Sequence, residues 1–330
     1  MKTYQYILQP YKGSKTRFHC PSCNHTRKTF SRYINITTGE NIGLNVGRCD
    51  REVKCGYHFT PKQYFEKNGQ WNEISKYIST KSNLQTTLVK KHSLIPHETL
   101  NDSFNLFPLD NLQIYLQGLF GVHLGSKLAQ KYLLGSSEHW KGATIFWQVD
   151  VESKIRSGKI ILYDPQTGRR VKNPYNHITW VHTILKLPSY QLKQCLFGEH
   201  LLNTSEKPVA IVESEKTAII ASVFLPQFIW LASGSLSNLS LEKLKIADDR
   251  NIFLFPDLLC YKKWREKANQ IEPLLKRKII VSDFLEKNAN QYEKERGLDI
   301  ADFLINRDEK FGWALSENGY PVFWDYPSPE

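Results

Sequence analysis

Two groups of residues in this chain have the types and spacing to do chemistry. The first is sulfur: Cys20-x2-Cys23 is followed by Cys49-x5-Cys55-x2-His58. Zinc takes about four sulfur or nitrogen ligands in a tetrahedron, and two pairs brought together by a hairpin supply them. Cys20, Cys23 and Cys49 are the first three expected ligands. The wider spacing of the second pair leaves the fourth as Cys55, with His58 as its alternative. Four protein ligands leave no open coordination position, so the Zn²⁺ expected here is structural. The second group is carboxylate. Glu213 follows the apolar run Val209–Val212, and Asp257 follows Ile252–Phe255, 44 residues later.

The elements that must position these groups can be read around them. Between the cysteine pairs, TFSRYINITTGENIGLNVGRC reads as strand, turn at Thr38-Gly39-Glu40-Asn41 and strand. That arrangement is a zinc ribbon. Val209–Val212, Ile229–Leu231, Ile252–Phe255 and Lys278–Val281 are short apolar runs alternating with helical segments, Glu215–Phe224 and Tyr261–Leu275 among them. Such alternation implies a doubly wound, mainly parallel sheet, in which ligands bind at the carboxyl ends of the strands. Glu213 and Asp257 would then meet in space. Asp299 and Asp302 open a further helix, where the helix dipole alone accounts for acids.

The middle of the chain is different. Residues 66–96 are polar and read as a linker, with a helical stretch at Trp71–Ile78. Two helical patterns follow, Leu109–Leu119 and Ser126–Leu134, separated by Gly121. From Ala143 the period changes to two, and ATIFWQVDV and GKIILYDPQTG read as antiparallel strands. Ile178–Pro188 is apolar and is expected to pack on that sheet. The expected organisation is a zinc ribbon at 1–65, a linker at 66–105, an α+β segment at 106–203 and the parallel-sheet domain at 204–330.

Charge points to a polyanionic partner. Residues 1–91 hold sixteen Lys and Arg against five Asp and Glu, which accounts for the whole net charge of +11; residues 92–330 hold 28 of each sign. A basic first third on a neutral body is the footprint of a nucleic-acid binder. Aromatic rings interleave with the cations at Phe30-Ser31-Arg32-Tyr33, a pattern suited to single-stranded nucleic acid. Arg169, Arg170 and Lys172 leave a hairpin and either contact phosphates or guard a sheet edge. No apolar run approaches the 18 residues of a membrane span, and the N terminus lacks the apolar segment of a secretory signal. Cysteines grouped for metal rather than disulfides fit a reducing compartment. A cytoplasmic protein is expected.

At this point the motifs resemble a known family. Glu213 in VESEKTA resembles the first motif of the TOPRIM domain, shared by bacterial and phage-type DNA primases, topoisomerases and some nucleases. Ala232-Ser233-Gly234-Ser235 resembles the small-residue loop after its second strand, and NIFLFPD ending in Asp257 resembles its second acidic motif. The order of zinc ribbon, FWQVD…GKIILYDPQTG, Leu196-Phe197-Gly198-Glu199-His200-Leu201-Leu202 and TOPRIM is similar to that of primases. More narrowly, it is similar to that of the primase-like proteins of Bacteroidetes genomes and their mobile elements.

The resemblance implies an Mg²⁺ site on Glu213 and Asp257, with Glu215 or the nucleotide's phosphates completing the shell, and RNA primer synthesis from ribonucleotides on single-stranded DNA. Arg32, Arg169, Arg170, Lys172 and Lys216 are the residues expected to bind nucleic acid. The chain departs from the family at Leu259, where a second Asp belongs. That departure favours an inert TOPRIM accessory factor in replication or mobilisation as the alternative; a TOPRIM nuclease is a third reading, less favoured because such enzymes also need the missing acid. No GxxxxGK[ST] phosphate loop is present, so unwinding is expected from a separate helicase, or strand supply from a relaxase.

Overall fold

The structure is a computed structural model and describes residues 5–51, 54–69, 92–106, 109–187 and 189–311. The expected helix at Trp71–Ile78 lies outside the described residues. The chain divides into two compact units, residues 1–90 and 91–330.

In the first unit, β1 (Tyr6–Leu8), β2 (Phe30–Asn35), β3 (Gly47–Cys49) and β4 (His58–Phe59) form one sheet in that order, every neighbour antiparallel. The turn after β2 falls on the expected residues: Gly39 adopts φ +73° and donates its N–H to Asn35 O at 2.8 Å. The returning strand is much shorter than the sequence pattern suggests. Gly43–Val46 closes a turn of its own, and the strand resumes only at Gly47. Glycine is required at Gly47, because a Cβ there would lie 2.1 Å from Ser31 O and 2.6 Å from the Phe30 ring. Phe30, Cys20 and Cys49 form the small buried core, with Phe18 and Tyr57 against it. Helix α1 (Pro61–Lys67) starts at a capping box between Thr60 and Gln63.

The second unit begins with α2 (His97–Ser103) and α3 (Asn111–Lys131), the latter broken at Gly121, whose φ of +80° and ψ of 159° are not helical. The break falls where the two helical patterns separate. The second pattern ends earlier than expected, because Leu134 opens a strand. Strands β5 (Leu134–Ser137), β6 (Ala143–Val149), β7 (Ile155–Ile161) and β8 (Ile178–Trp180) make an antiparallel meander in sequence order. Asp110 joins the two elements: its Oδ1 accepts from Leu112 N and Gln113 N at the start of α3 and from the Thr144 hydroxyl of β6. One face of the meander packs Trp147, Ile145 and Ile160 with Val181 from the short α4 (Val181–Ile184).

The third sheet is parallel throughout. Strands β9 (Val209–Val212), β10 (Ile229–Ala232), β11 (Ile252–Leu254) and β12 (Ile279–Val281) lie in the order β10-β9-β11-β12. All residues of β9, β10 and β11 are buried, as continuous apolar runs in a parallel sheet should be. Helices α5 (Glu215–Phe224), α6 (Leu241–Leu244) and α7 (Tyr261–Ile271) connect the strands, and α8 (Phe284–Asn288), α9 (Gln291–Arg296) and α10 (Ile300–Phe311) follow. Helix α7 buries Trp264, Ala268 and Ile271 and stops before Pro273, four residues short of the expected Leu275.

The segment Leu196–Leu202 seals the junction between the two sheets. Phe197 exchanges both backbone hydrogen bonds with Ala232 at the end of β10, at 2.9 and 3.0 Å. Gly198 then turns in the left-handed region at φ +82°, leaving Tyr132, Phe146 and Phe197 to pack ring against ring.

Candidate functional site

The sulfur site is assembled by three turns. Cys20 and Cys23 lie on a turn closed by Asn24 N–H to Cys20 O at 2.9 Å, just before β2. Cys49 ends β3, and Cys55 sits on the turn into β4, where Cys55 N–H reaches Arg51 O at 2.8 Å. The four sulfurs all lie within 4.8 Å of one another, and Cys20 and Cys55 are 3.6 Å apart. A zinc–sulfur bond of about 2.3 Å gives tetrahedral S···S edges of about 3.8 Å, so the quartet fits the ion. Burial pushes the Cys49 thiol up to about 12, an awkward neutral group that coordination would convert to a thiolate. His58 stands outside this quartet and bonds through Nε2 to the Tyr33 hydroxyl at 2.9 Å. His19 bonds instead to the carbonyl of His25.

The carboxylate site lies at the carboxyl ends of β9 and β11, beside the point where the crossovers leave in opposite directions. Glu213 follows β9, and its carbonyl accepts from Gly234 N at 2.8 Å, which anchors the Ala232–Ser235 loop beside it. Asp257 follows β11 and is half-buried. Two contacts bring in acids from far along the chain. Leu258 N–H donates to Leu298 O at 3.0 Å, and the Thr217 hydroxyl on α5 donates to the Asp299 carboxylate. Asp299 also caps α10, accepting from Asp302 N at 2.9 Å.

The electrostatics follow from this crowding. Asp257 is held well above the ordinary carboxylate range, first by burial, then by the charges of Asp299, Glu213 and Asp302, with Arg170 opposing. Asp302 is raised by burial and Asp299 and is relieved by Lys216 and Arg169. The Cys260 thiol, three residues after Asp257, is pushed up to about 12 by burial and by the charges of Asp257 and Glu213. Mutually repelling carboxylates at strand ends are an all-oxygen donor set of the kind that suits Mg²⁺. Asp299 and Asp302, which the dipole seemed to explain, therefore belong to the acidic group. Their three-residue spacing at a helix start was the signal, since it puts both on one helical face.

Three further residues take different positions from those expected. Glu215 is 3 % exposed, and both its oxygens accept from Lys159 Nζ of β7, at 3.0 and 3.1 Å. Its carboxylate is thus held by an ion pair. Leu259 occupies the left-handed region at φ +67°, is 64 % exposed, and donates its N–H to Glu286 Oε1 at 2.7 Å. Arg32 is tied into the ribbon, with its Nε on Leu44 O and its guanidinium 3.6 Å from the Phe18 ring centroid.

The expected cations gather near the acids. Asp164 closes the hairpin turn by accepting from Gln166 N, Thr167 N and the Thr167 hydroxyl. Gly168, at φ +60°, packs so closely on Tyr115 that a Cβ would come within 2.3 Å of its ring. Lys216 Nζ donates to Gly168 O at 3.1 Å. Arg169 and Arg170 leave this turn exposed, and their charges reach Asp302 and Asp257 respectively. Lys172 is exposed further along the same segment. Among the described residues the cysteine quartet is the one group of three or more His, Cys, Asp and Glu side chains whose ligand atoms converge this tightly. Among the same residues no helix is long and apolar enough to cross a membrane.

Residues 4–70 match the model of a family described as a zinc beta-ribbon finger, and residues 110–258 match a domain of unknown function, DUF6371. A comparison with curated proteins finds no match. Solved structures similar to the chain include the zinc-binding and RNA polymerase domains of the Aquifex aeolicus primase, at 12% identity and TM-score 0.35, covering 91% of this chain and 80% of that one. The primase fragment of the bacteriophage T7 primase-helicase protein is similar at 12% identity and TM-score 0.33, covering 85% and 98%. The DnaG primase catalytic domain bound to ssDNA is similar at 10% identity and TM-score 0.40, covering 68% and 84%. Likeness this distant assigns no function. The ribbon match and the sulfur geometry agree on one conclusion: the N-terminal unit is zinc-ribbon-like, with four cysteines arranged to hold one metal ion.

Proposed function

We propose that the chain is a primase-like protein that binds single-stranded DNA and joins ribonucleotides at a TOPRIM-type Mg²⁺ site, in replication of a chromosome or mobile element. The reading is supported by the charges of Asp299 and Asp302, at the start of α10, and of Glu213, at the end of β9, bearing on Asp257 at the end of β11, with the charges of Arg170, Arg169 and Lys216 opposing them. Glu213 and Asp257 would hold Mg²⁺, which neutralises phosphate charge and stabilises the charge that builds up in phosphoryl transfer. Asp299 would add negative charge to the site while its own oxygens are engaged by Thr217 and the α10 backbone. Arg169, Arg170 and Lys172 would hold phosphates of the template or incoming nucleotide, and the ribbon would engage template DNA. Unwinding would come from a separate helicase, or single strands from a relaxase.

A second reading has its own support. Leu259 stands exposed where a second acid is expected, which favours a DNA-binding accessory factor with an inert site. A TOPRIM nuclease fits less well for the same reason. Single-stranded DNA, ribonucleotides and Mg²⁺ with the purified protein separate these readings. Short RNA that disappears with Glu213→Gln and Asp257→Asn supports the primase reading. DNA binding without synthesis or cleavage supports the accessory factor. Strand cleavage in place of synthesis supports the nuclease.

A further inference from the structure

Glu215 and Lys159 make the one strongly buried ion pair that ties the antiparallel meander to the acidic site among the described residues. Lys159 is 13 % exposed and Glu215 3 %, and the ammonium bridges both carboxylate oxygens. Lys159 comes from the middle of β7, opposite Phe146 on one side and Trp180 on the other, so the meander fixes its position. Glu215 opens α5 two residues after Glu213. Gly234 connects the two acids: its N–H holds the Glu213 carbonyl, and a Cβ on it would lie 3.6 Å from Glu215 Oε1. The charge of Glu215 is also felt at the buried Tyr163, as is that of Asp299. Glu215 therefore borders the loop that flanks Glu213, and Lys159 is the group that holds it.

From this geometry we infer that Lys159 is a positioning residue: it neutralises Glu215 and keeps its carboxylate out of the coordination shell formed by Glu213 and Asp257. This rests on the Mg²⁺-site reading above. The physical argument is one of competition. A buried carboxylate beside a divalent-cation site is paired with whichever cation is held in better geometry. Lys159 offers a bidentate contact from a rigid strand, so the lysine holds Glu215 and the metal is left with water in its place. The pair then limits the charge of the site and leaves coordination positions open for a nucleotide's phosphates. Removing the lysine alone releases an unpaired acid next to the metal. Removing both partners removes the competition with no charge left behind.

The test is Mn²⁺ affinity of the full chain, read from free Mn²⁺ by electron paramagnetic resonance, with Mn²⁺ as the probe for Mg²⁺. Glu213→Gln should weaken binding at least tenfold, whereas Glu215→Gln should change it less than twofold. Lys159→Met should tighten binding at least threefold, and the double variant Lys159→Met/Glu215→Met should return it to within twofold of the parent. The double variant also keeps the test alive if Lys159→Met alone fails to fold. Weakening by the double variant Lys159→Met/Glu215→Met as large as that by Glu213→Gln would make Glu215 a ligand and overturn the inference while leaving the metal site standing. Unchanged affinity in Lys159→Met would overturn it too. Unchanged affinity in Glu213→Gln would remove the metal-site reading itself and the inference with it.

Discussion

After burial, the charge of Asp299 is the strongest influence holding Asp257 above the ordinary carboxylate range, although the two lie on different elements far apart in the chain. The contact is built by backbone and hydroxyl groups, Leu258 N–H to Leu298 O and Thr217 to Asp299, not by the acids themselves. Like charges brought together in this way are relieved by a proton, by Arg170 opposite, or by a bound cation. Asp257→Asn should therefore stabilise the metal-free protein, by on the order of 1 kcal/mol; on the proposed Mg²⁺ site the parent should melt higher with Mg²⁺ than without, and the variant should not. Thermal melts with and without Mg²⁺ check both.

The zinc-ribbon unit should depend on its metal. Cys49→Ser and Cys55→Ser are each expected to lose the single zinc per chain and to unfold the ribbon sheet β1–β4, since structural zinc contributes on the order of 10 kcal/mol in small domains. His58→Ala should keep the zinc, because His58 bonds to Tyr33 and stands outside the sulfur quartet. Metal analysis by mass spectrometry distinguishes the variants.

Asp110 predicts a pH dependence with a definite sign. Burial raises it from 3.8 to about 6, against the bonds from Thr144, Gln113 and Leu112. Between those values the folded state keeps a proton that the unfolded state has lost. Its contribution to stability therefore falls as pH rises from about 4 to about 6, and is level above. In Asp110→Asn this fall should vanish while the cap on α3 survives, since asparagine accepts the same N–H bonds. Urea midpoints across pH 4–7, parent against variant, measure the difference; parallel curves would contradict it.

Gly168→Ala tests how the cations are held. The residue sits at φ +60° with a Cβ position 2.3 Å from the Tyr115 ring. The substitution should cost about 1–3 kcal/mol and weaken DNA binding by displacing Arg169 and Arg170. Arg170→Ala should instead leave stability nearly unchanged and reduce the slope of log affinity against log salt by about one. Denaturant melts and DNA titrations at several salt concentrations separate the two effects.

Much of this was legible in the sequence because local pattern and local structure agreed. The apolar runs ending at Glu213 and Asp257 are buried parallel strands. Gly121 breaks a helix as its φ requires, and the cysteine pairs meet around a hairpin. What the sequence hid depends on long-range contacts. Nothing near Glu215 signals that a lysine on β7 neutralises it, so it read as a metal ligand. Asp299 and Asp302 looked like ordinary helix-start acids because their partner Asp257 lies on another strand. The ribbon's second strand read as longer than it is because turn formation at Gly43–Val46 outweighs strand propensity there. Strand β1 carried no signal of its own and forms by pairing with β2.

The central claim is that the strand-end acids form the working site for joining ribonucleotides. Its most direct test is incorporation of labelled ribonucleotide on single-stranded DNA with Mg²⁺, comparing the parent with Asp257→Asn and Asp299→Asn. Short RNA is expected from the parent, none from Asp257→Asn, and at least a tenfold loss in Asp299→Asn, whose helix cap is preserved. Synthesis at the parent level in Asp257→Asn would contradict it.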